Sequence, residues 1–253
     1  MILHEVGRHL FLDDGIRITE CSPLEGWSIE NKEDVKRDLE SGYPYTTGAL
    51  RFAYECLSIT QHDLGDVETS SLGTTAGKRS KIKLHTPNIE EALSAIESSY
   101  FVSGFPVRVD CNQKWDYESI SELVDEIPNH MIEYIEEPTA NYAEKLKLSH
   151  RIPIALDETL LHELHRVTDP GAFVFVLKPT LLGPIAPFLD MTPQKAVLSG
   201  AYESGIGTRY IINLAKEYPE IAPGVGVGTY NPDRDPILPL IGKHVSWEYS
   251  LLC

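Results

Sequence analysis

One pattern restricts the fold of this chain more than any other: a charged side chain recurs at the end of successive short apolar runs. The runs are KIKLH at 81–85, VRVDCN at 107–112, YIEEP at 134–138, IPIALDE at 152–158, FVFVLKP at 173–179 and KAVLSG at 195–200. From Lys83 through Asp110, Glu136 and Asp157 to Lys178 the intervals are 27, 26, 21 and 21 residues, each the length of one strand, one helix and their loops. Helical stretches are predicted between the runs at 89–99, 116–127, 142–149 and 160–167, with Asp116 as an N-cap. A further helix at 204–218 starts at Ser204.

Consecutive βα units fold either as an open doubly wound sheet or as a closed barrel. No G-x-G-x-x-G opens a helix after the first strand, and GVGVG at 224–228 comes late and out of that context, so a dinucleotide site is disfavoured and the barrel preferred. The first third reads differently, as a small α+β unit. Strands are predicted at 8–13 and 15–20, joined at Asp14-Gly15, followed by a loop at 21–27 and helices at 31–39 and 47–57. The expected division is 1–66, 67–227 for the barrel, and a segment at 228–253 that returns to the first unit.

In a βα barrel the C-terminal strand ends converge on one mouth, so Asp110, Glu136 and Asp157 would meet there and repel unless a cation held them. Three hard oxygen ligands suit Mg²⁺, with Mn²⁺ also admissible. Each carboxylate alone has a plain structural use as an ion-pair partner or cap, but three in register do not. An ammonium close to a metal has its neutral form favoured, which suits it to general base work. If their strands sit four apart on an eight-stranded ring, Lys83 and Lys178 flank a substrate from opposite sides. Metal plus lysines is a known arrangement for taking a proton next to a carboxylate.

Other chemistries are poorly supported. With a net charge of −16 the chain would be repelled by nucleic acid and by anionic membranes, and no window approaches the roughly 18 apolar residues of a membrane span. Cys21, Cys56, Cys111 and Cys253 form no C-x-x-C pair, which argues against a disulfide framework or thiolate zinc site and for a cytoplasmic protein. No G-x-S-x-G elbow is present, and His162 and His165 lack ligand-spaced partners.

The motif set, together with ECSPLEGWS at 20–28, VLKPTLLG at 176–183, LSGAYESGIG at 198–207 and Pro223-Gly224, resembles the enolase superfamily. Within it the set is most similar to the o-succinylbenzoate synthase family of the muconate-lactonizing-enzyme-like subgroup, over about residues 8–230. The resemblance implies an α/β fold, a modified (β/α)7β TIM-type barrel with a small, shortened α+β capping domain that lacks one strand. It implies Asp110, Glu136 and Asp157 as metal ligands, with Asn112, Glu137 and Glu158 supporting them. Lys83 is implied as base and then acid, and Lys178 as the ammonium on the other face. Lys81, Arg108, Ser199 and Gly224 match positions near the substrate. The implied substrate is a small dicarboxylate, with no nucleic acid, membrane or obligate protein partner. The implied reaction is dehydration of 2-succinyl-6-hydroxy-2,4-cyclohexadiene-1-carboxylate on the menaquinone route. A racemase of N-succinylamino acids or a dipeptide epimerase uses the same two lysines. A barrel that only binds ligand is the alternative outside catalysis.

Overall fold

The computed structural model describes residues 1–230 apart from 63, 65, 66 and 193–195. The expected segment at 228–253 therefore lies outside the described residues beyond Tyr230. Strands β1 (Ile2–Val6), β2 (His9–Asp13) and β3 (Ile18–Glu20) form an antiparallel sheet in that order. Two helices follow, at Lys32–Ser41 and Gly48–Cys56. The first begins in a capping box, Asn31 accepting from the Asp34 amide while Asp34 reaches back to the Asn31 amide, which satisfies two donors that a helix start leaves open. Leu10, Leu12, Val35, Leu50 and Ala53 close a core between sheet and helices. β1 carries no strand signal in the sequence, because ILHEV lacks apolar–polar alternation: Leu3 and Glu5 share one face, and no residue of the strand is buried.

The charged-ended runs become adjacent parallel strands. β4 (Thr69–Leu72), β5 (Ser80–Lys83), β6 (Val107–Asp110), β7 (Ile132–Glu136), β8 (Ile154–Leu156), β9 (Phe173–Leu177), β10 (Val197–Leu198) and β11 (Val225–Gly226) make one sheet, ordered β10-β9-β8-β7-β6-β5-β4-β11. Parallel bridges Ala196–Ile221 and Ser199–Gly226 join its two end strands, closing the ring. This is the expected barrel.

Side chains alternate across each strand, so every second residue enters the ring. The register sets Lys83 beside Asp110 and Asp110 beside Glu136. A layer of Tyr134, Ala155, Val176 and Val197 packs two residues below Glu136, Asp157, Lys178 and Ser199. The opposite faces carry Val109, Ile135, Ile154 and Phe175, buried against the helices. Burying each such side chain is worth about 1.5–3 kcal/mol.

The helices match their predicted positions with two differences. Asp116 caps Tyr117–Glu126, its carboxylate accepting from the Ser119 amide at 2.8 Å. The stretch 160–167 is a short helix, Glu158–His162, and a separate 3-10 turn, Leu164–Arg166. Gly205–Glu217 begins after Ser204 as predicted, but the Ser204 hydroxyl does not cap it. The Ser204 hydroxyl and amide donate to Glu20 Oε2 at 2.5 and 2.9 Å, and the Gly207 amide does so at 3.2 Å. A carboxylate from the N-terminal sheet thus caps a barrel helix, where the helix dipole favours negative charge. Ile206 of that helix packs on Phe11 and Ile18, and Gly48 meets Gly183 closely enough that a Cβ at Gly48 would stand 3.1 Å from the Leu181 carbonyl. The small domain is thereby seated over the C-terminal end of the barrel.

Candidate active site

The strand ends bring the predicted charged residues into one cleft, in ion pairs. Lys81 Nζ donates to Glu136 Oε1 at 2.6 Å and lies 3.1 Å from Asp110 Oδ2. Lys83, two residues further out on β5, donates to Asn112 Oδ1 at 3.2 Å and stands 3.7 Å from Asp110 Oδ2. Lys178 pairs with Asp157. β5 and β9 are four positions apart in the sheet order, the condition under which Lys83 and Lys178 rise from opposite walls.

The carboxylates packed against Lys81 and Lys178 favour the charged form of each. Burial lowers Lys178, but the carboxylates of Asp157 and Glu136 outweigh it and hold the ammonium above the ordinary lysine value. Lys81 behaves alike, with burial opposed by Glu136 and Asp110. Burial pushes Glu136 well above the carboxylate range, Lys81 opposing and Asp110 and Asp157 adding to the rise. Burial likewise raises Glu158, helped by Asp157 and Glu137.

Glu137 organises the rim. Its Oε1 accepts from the amides of Asp157 and Thr159, both at 2.8 Å, and its Oε2 accepts from Thr159 Oγ1 at 2.9 Å and Gln113 Nε2 at 3.0 Å. The buried ammonium of Lys145 pairs with the same carboxylate and donates to Thr159 Oγ1 at 2.6 Å. Asp157 is held in place through its backbone by this node. Asn112 accepts from Lys83 and donates to Glu158 Oε1 at 3.4 Å, tying two walls together. Asn112 and Glu137 have φ of 46° and 45°. Non-glycine residues take that conformation at a cost and only where surroundings enforce it.

Among the described residues no three His, Cys, Asp or Glu side chains stand close enough together to hold a metal ion. This departs from the expected cluster, because Lys81 lies between Asp110 and Glu136 and Lys178 draws Asp157 aside. The donor set still fits a hard divalent cation. It consists of carboxylates on three neighbouring strands, and Glu136 Oε2 is buried with no hydrogen-bond partner, the kind of oxygen that requires a counter-charge. Holding one ion with all three requires them to turn from the lysines toward it.

Above the charges lies an open cleft with about 100 Å³ of enclosed space. Lys81, Lys83, Asp110, Asn112, Glu158 and Lys178 form its floor, and Ser199 lines it as expected. Leu24 and Trp27 of the 20–28 loop cover one side, the Trp27 ring centroid 5.7 Å from Lys178 Nζ. Two expected substrate contacts are corrected. Arg108 is buried at the opposite, N-terminal end of β6, donating to the carbonyls of Gly224 and Pro223 and to Glu133 Oε1. Gly224, at φ +86°, is packed against Arg79 and Arg108, where a Cβ would stand 2.7 Å from Arg79 Cδ. Both close the barrel floor. The alternation that points Asp110 into the ring also points Arg108 inward, but two residues lower.

Ser70, Ser71, Gly226 and Thr229 also line the cleft and carry no signal in the sequence. β4 reads TSSL and β11 holds only Val225 and Gly226, so neither offers an apolar run. Lys145 was equally hidden, since nothing in YAEKLKLS separates a buried lysine from the exposed Lys147 beside it.

The sequence model described as "Enolase C-terminal domain-like" matches residues 73–191. The o-succinylbenzoate synthase of Aliivibrio fischeri (strain MJ11) is 27% identical over an alignment 291 positions long, gaps included, covering 94% of this chain and 90% of that one. Protein PHYLLO, chloroplastic, of Arabidopsis thaliana is 34% identical over 122 residues, 42% of this chain but 7% of that much longer relative. Among solved structures, the o-succinylbenzoate synthase of Thermosynechococcus elongatus BP-1, complexed with Mg in the active site, superposes with a TM-score of 0.68. It is 22% identical and covers 87% of this chain and 84% of that one, a likeness of fold.

Proposed function

We propose that the chain is a member of the enolase superfamily and an Mg²⁺-dependent o-succinylbenzoate synthase of menaquinone biosynthesis. The reaction is the syn-dehydration of 2-succinyl-6-hydroxy-2,4-cyclohexadiene-1-carboxylate to o-succinylbenzoate and water. The observation that carries this reading is the pair of lysines on opposite walls above three carboxylates on adjacent strands. The near-full-length relationship to the Aliivibrio fischeri enzyme supports it.

Asp110, Glu136 and Asp157 are the residues to hold the metal. Bound there, it would supply positive charge to the substrate carboxylate and so acidify the adjacent C–H bond. Lys83, in its neutral form, takes that proton, and the carbon–hydrogen pair becomes the new ring double bond as the hydroxyl departs. The same lysine, now an ammonium, gives its proton to the leaving hydroxyl on the same face, so water is released and Lys83 is regenerated. Asn112, 3.2 Å from Lys83 Nζ, orients this amine. Lys178, on the wall opposite Lys83, supports as an ammonium the negative charge that develops on the carboxylate. The Trp27 ring stands 5.7 Å from that ammonium, in reach of a cation–π contact.

The test is to incubate the protein with Mg²⁺ and the cyclohexadiene substrate, follow loss of diene absorbance, and repeat with Lys83→Ala and with chelator. Loss of rate by about 10³-fold or more in Lys83→Ala is the expected result for removal of the proton-transfer group. Equal rates in wild type and Lys83→Ala refute the reading. No turnover at all, with deuterium exchange into N-succinylamino acids, would assign the lysines to racemisation instead.

A further inference from the structure

The proposed substrate carries two carboxylates, and the cleft as described provides cations for one end only. Lys81, Lys83 and Lys178 are all on the floor, with Asp110, Asn112 and Glu158, and the rest of the lining is apolar, hydroxyl or glycine among the described residues. A carboxylate at the end of a flexible succinyl chain therefore needs a cation at the mouth, or must remain in water. The rim holds one. Arg8 is exposed and sits at the tip of the β1–β2 hairpin, its guanidinium carbon 5.8 Å from the centroid of the Tyr202 ring, which itself lines the cleft. No carboxylate among the described residues pairs with Arg8, although the chain carries a large acidic excess of 38 Asp and Glu over 22 Lys and Arg. A lone arginine over an aromatic face keeps its hydrogen-bonding edge open to a ligand.

The placement is fixed from both sides. His9, the next residue, bonds through Nδ1 to Glu20 Oε1 at 2.7 Å, and Glu20 Oε2 caps the barrel helix at Ser204 and Gly207. The hairpin tip is thus fastened to the barrel two residues from Tyr202. Tyr202 has φ of 66°, an unfavourable backbone for a residue of its size, and its amide is held by Thr229 Oγ1 at 3.4 Å.

Resting on the function proposed above, we infer that Arg8, stacked on Tyr202 at the cleft mouth, recognises the distal succinyl carboxylate and selects for dicarboxylate over monocarboxylate substrates. A guanidinium binds a carboxylate through two parallel hydrogen bonds, so the contribution belongs to binding and not to the proton transfers on the floor.

The experiment measures Kd for o-succinylbenzoate, and for its analogue bearing the succinyl carboxylate as a methyl ester, on wild type, Arg8→Met and Arg8→Lys. Turnover of the diene substrate is measured in parallel. The Arg8→Met change should weaken o-succinylbenzoate roughly 10- to 100-fold, the worth of a charge-assisted contact, and leave the ester unchanged. The Arg8→Lys change should recover part of the loss, and KM should rise in Arg8→Met with kcat within about twofold of wild type. Equal Kd for the diacid in wild type and Arg8→Met, or equal weakening of diacid and ester, overturns the assignment of Arg8 alone. Failure of wild type to bind o-succinylbenzoate or to turn over the diene overturns the function itself.

Discussion

Replacing Lys145 with methionine tests whether the Glu137 node is the structural anchor of the site. Both side chains are wholly buried and paired, so the Lys145→Met change leaves a carboxylate in the interior without its counter-charge. Breaking such a pair from one side costs about 3–5 kcal/mol. Glu137 retains four other donors, the Asp157 and Thr159 amides, Thr159 Oγ1 and Gln113 Nε2, which places the expected loss near the lower end, about 3 kcal/mol. For a chain of this length that corresponds to roughly 6–12 °C in Tm. Urea unfolding at pH 7 reads the loss as a lower midpoint with an unchanged slope. The Glu137→Gln change alone should cost a similar amount by stranding the ammonium. The double variant Glu137→Gln/Lys145→Met should cost less than the sum by about 2 kcal/mol, since neither charge is then buried alone. A Lys145→Met protein within about 0.5 kcal/mol of wild type, or a strictly additive cycle, would refute the reasoning.

Three further outcomes are expected. Mg²⁺ at about 100 times its Kd should raise unfolding stability by about 2.7 kcal/mol, and Asp110→Asn should abolish that rise in a thermal melt, because a neutral amide is a poor ligand for a hard cation. Asp38 is half of an anchor at the start of the second helix, accepting from the Thr47 amide and hydroxyl at 2.8 Å and from Thr46. Burial opposes its ionisation, but the Thr47 and Thr46 donors prevail and hold it below the ordinary value of 3.8. The stability it contributes is therefore full above pH 3.8 and lost as pH falls through its lower folded value. The Asp38→Asn change should lower stability at pH 7 by about 2 kcal/mol and flatten the acid limb of midpoint against pH; an unchanged acid limb would contradict the assignment. A Cβ at Gly207 would stand 2.6 Å from Glu20 Oε2 and 2.7 Å from Glu203 Cβ, so Gly207→Ala should cost about 1–3 kcal/mol by overpacking, read as a lowered urea midpoint.

The barrel and the run of charged strand ends were legible in the residue pattern. One charged residue follows each apolar run, so Lys83, Asp110, Glu136, Asp157 and Lys178 could be read as strand-end residues, and the sheet register sets Lys83 beside Asp110 and Asp110 beside Glu136. Depth along a strand was not legible in the same way. Arg108 and Asp110 share a face two residues apart, yet one engages the Pro223 and Gly224 carbonyls on the floor and the other faces the cleft, because the barrel has two ends and composition does not say which is nearer. Contacts distant in the chain were invisible for a related reason. Glu20 capping the helix after Ser204, Lys145 reaching Glu137, and Arg8 arriving over Tyr202 join groups that share no period. Each exists only because burying the apolar faces of the small domain and the barrel brings unrelated segments together, after which their polar groups must find partners on the spot.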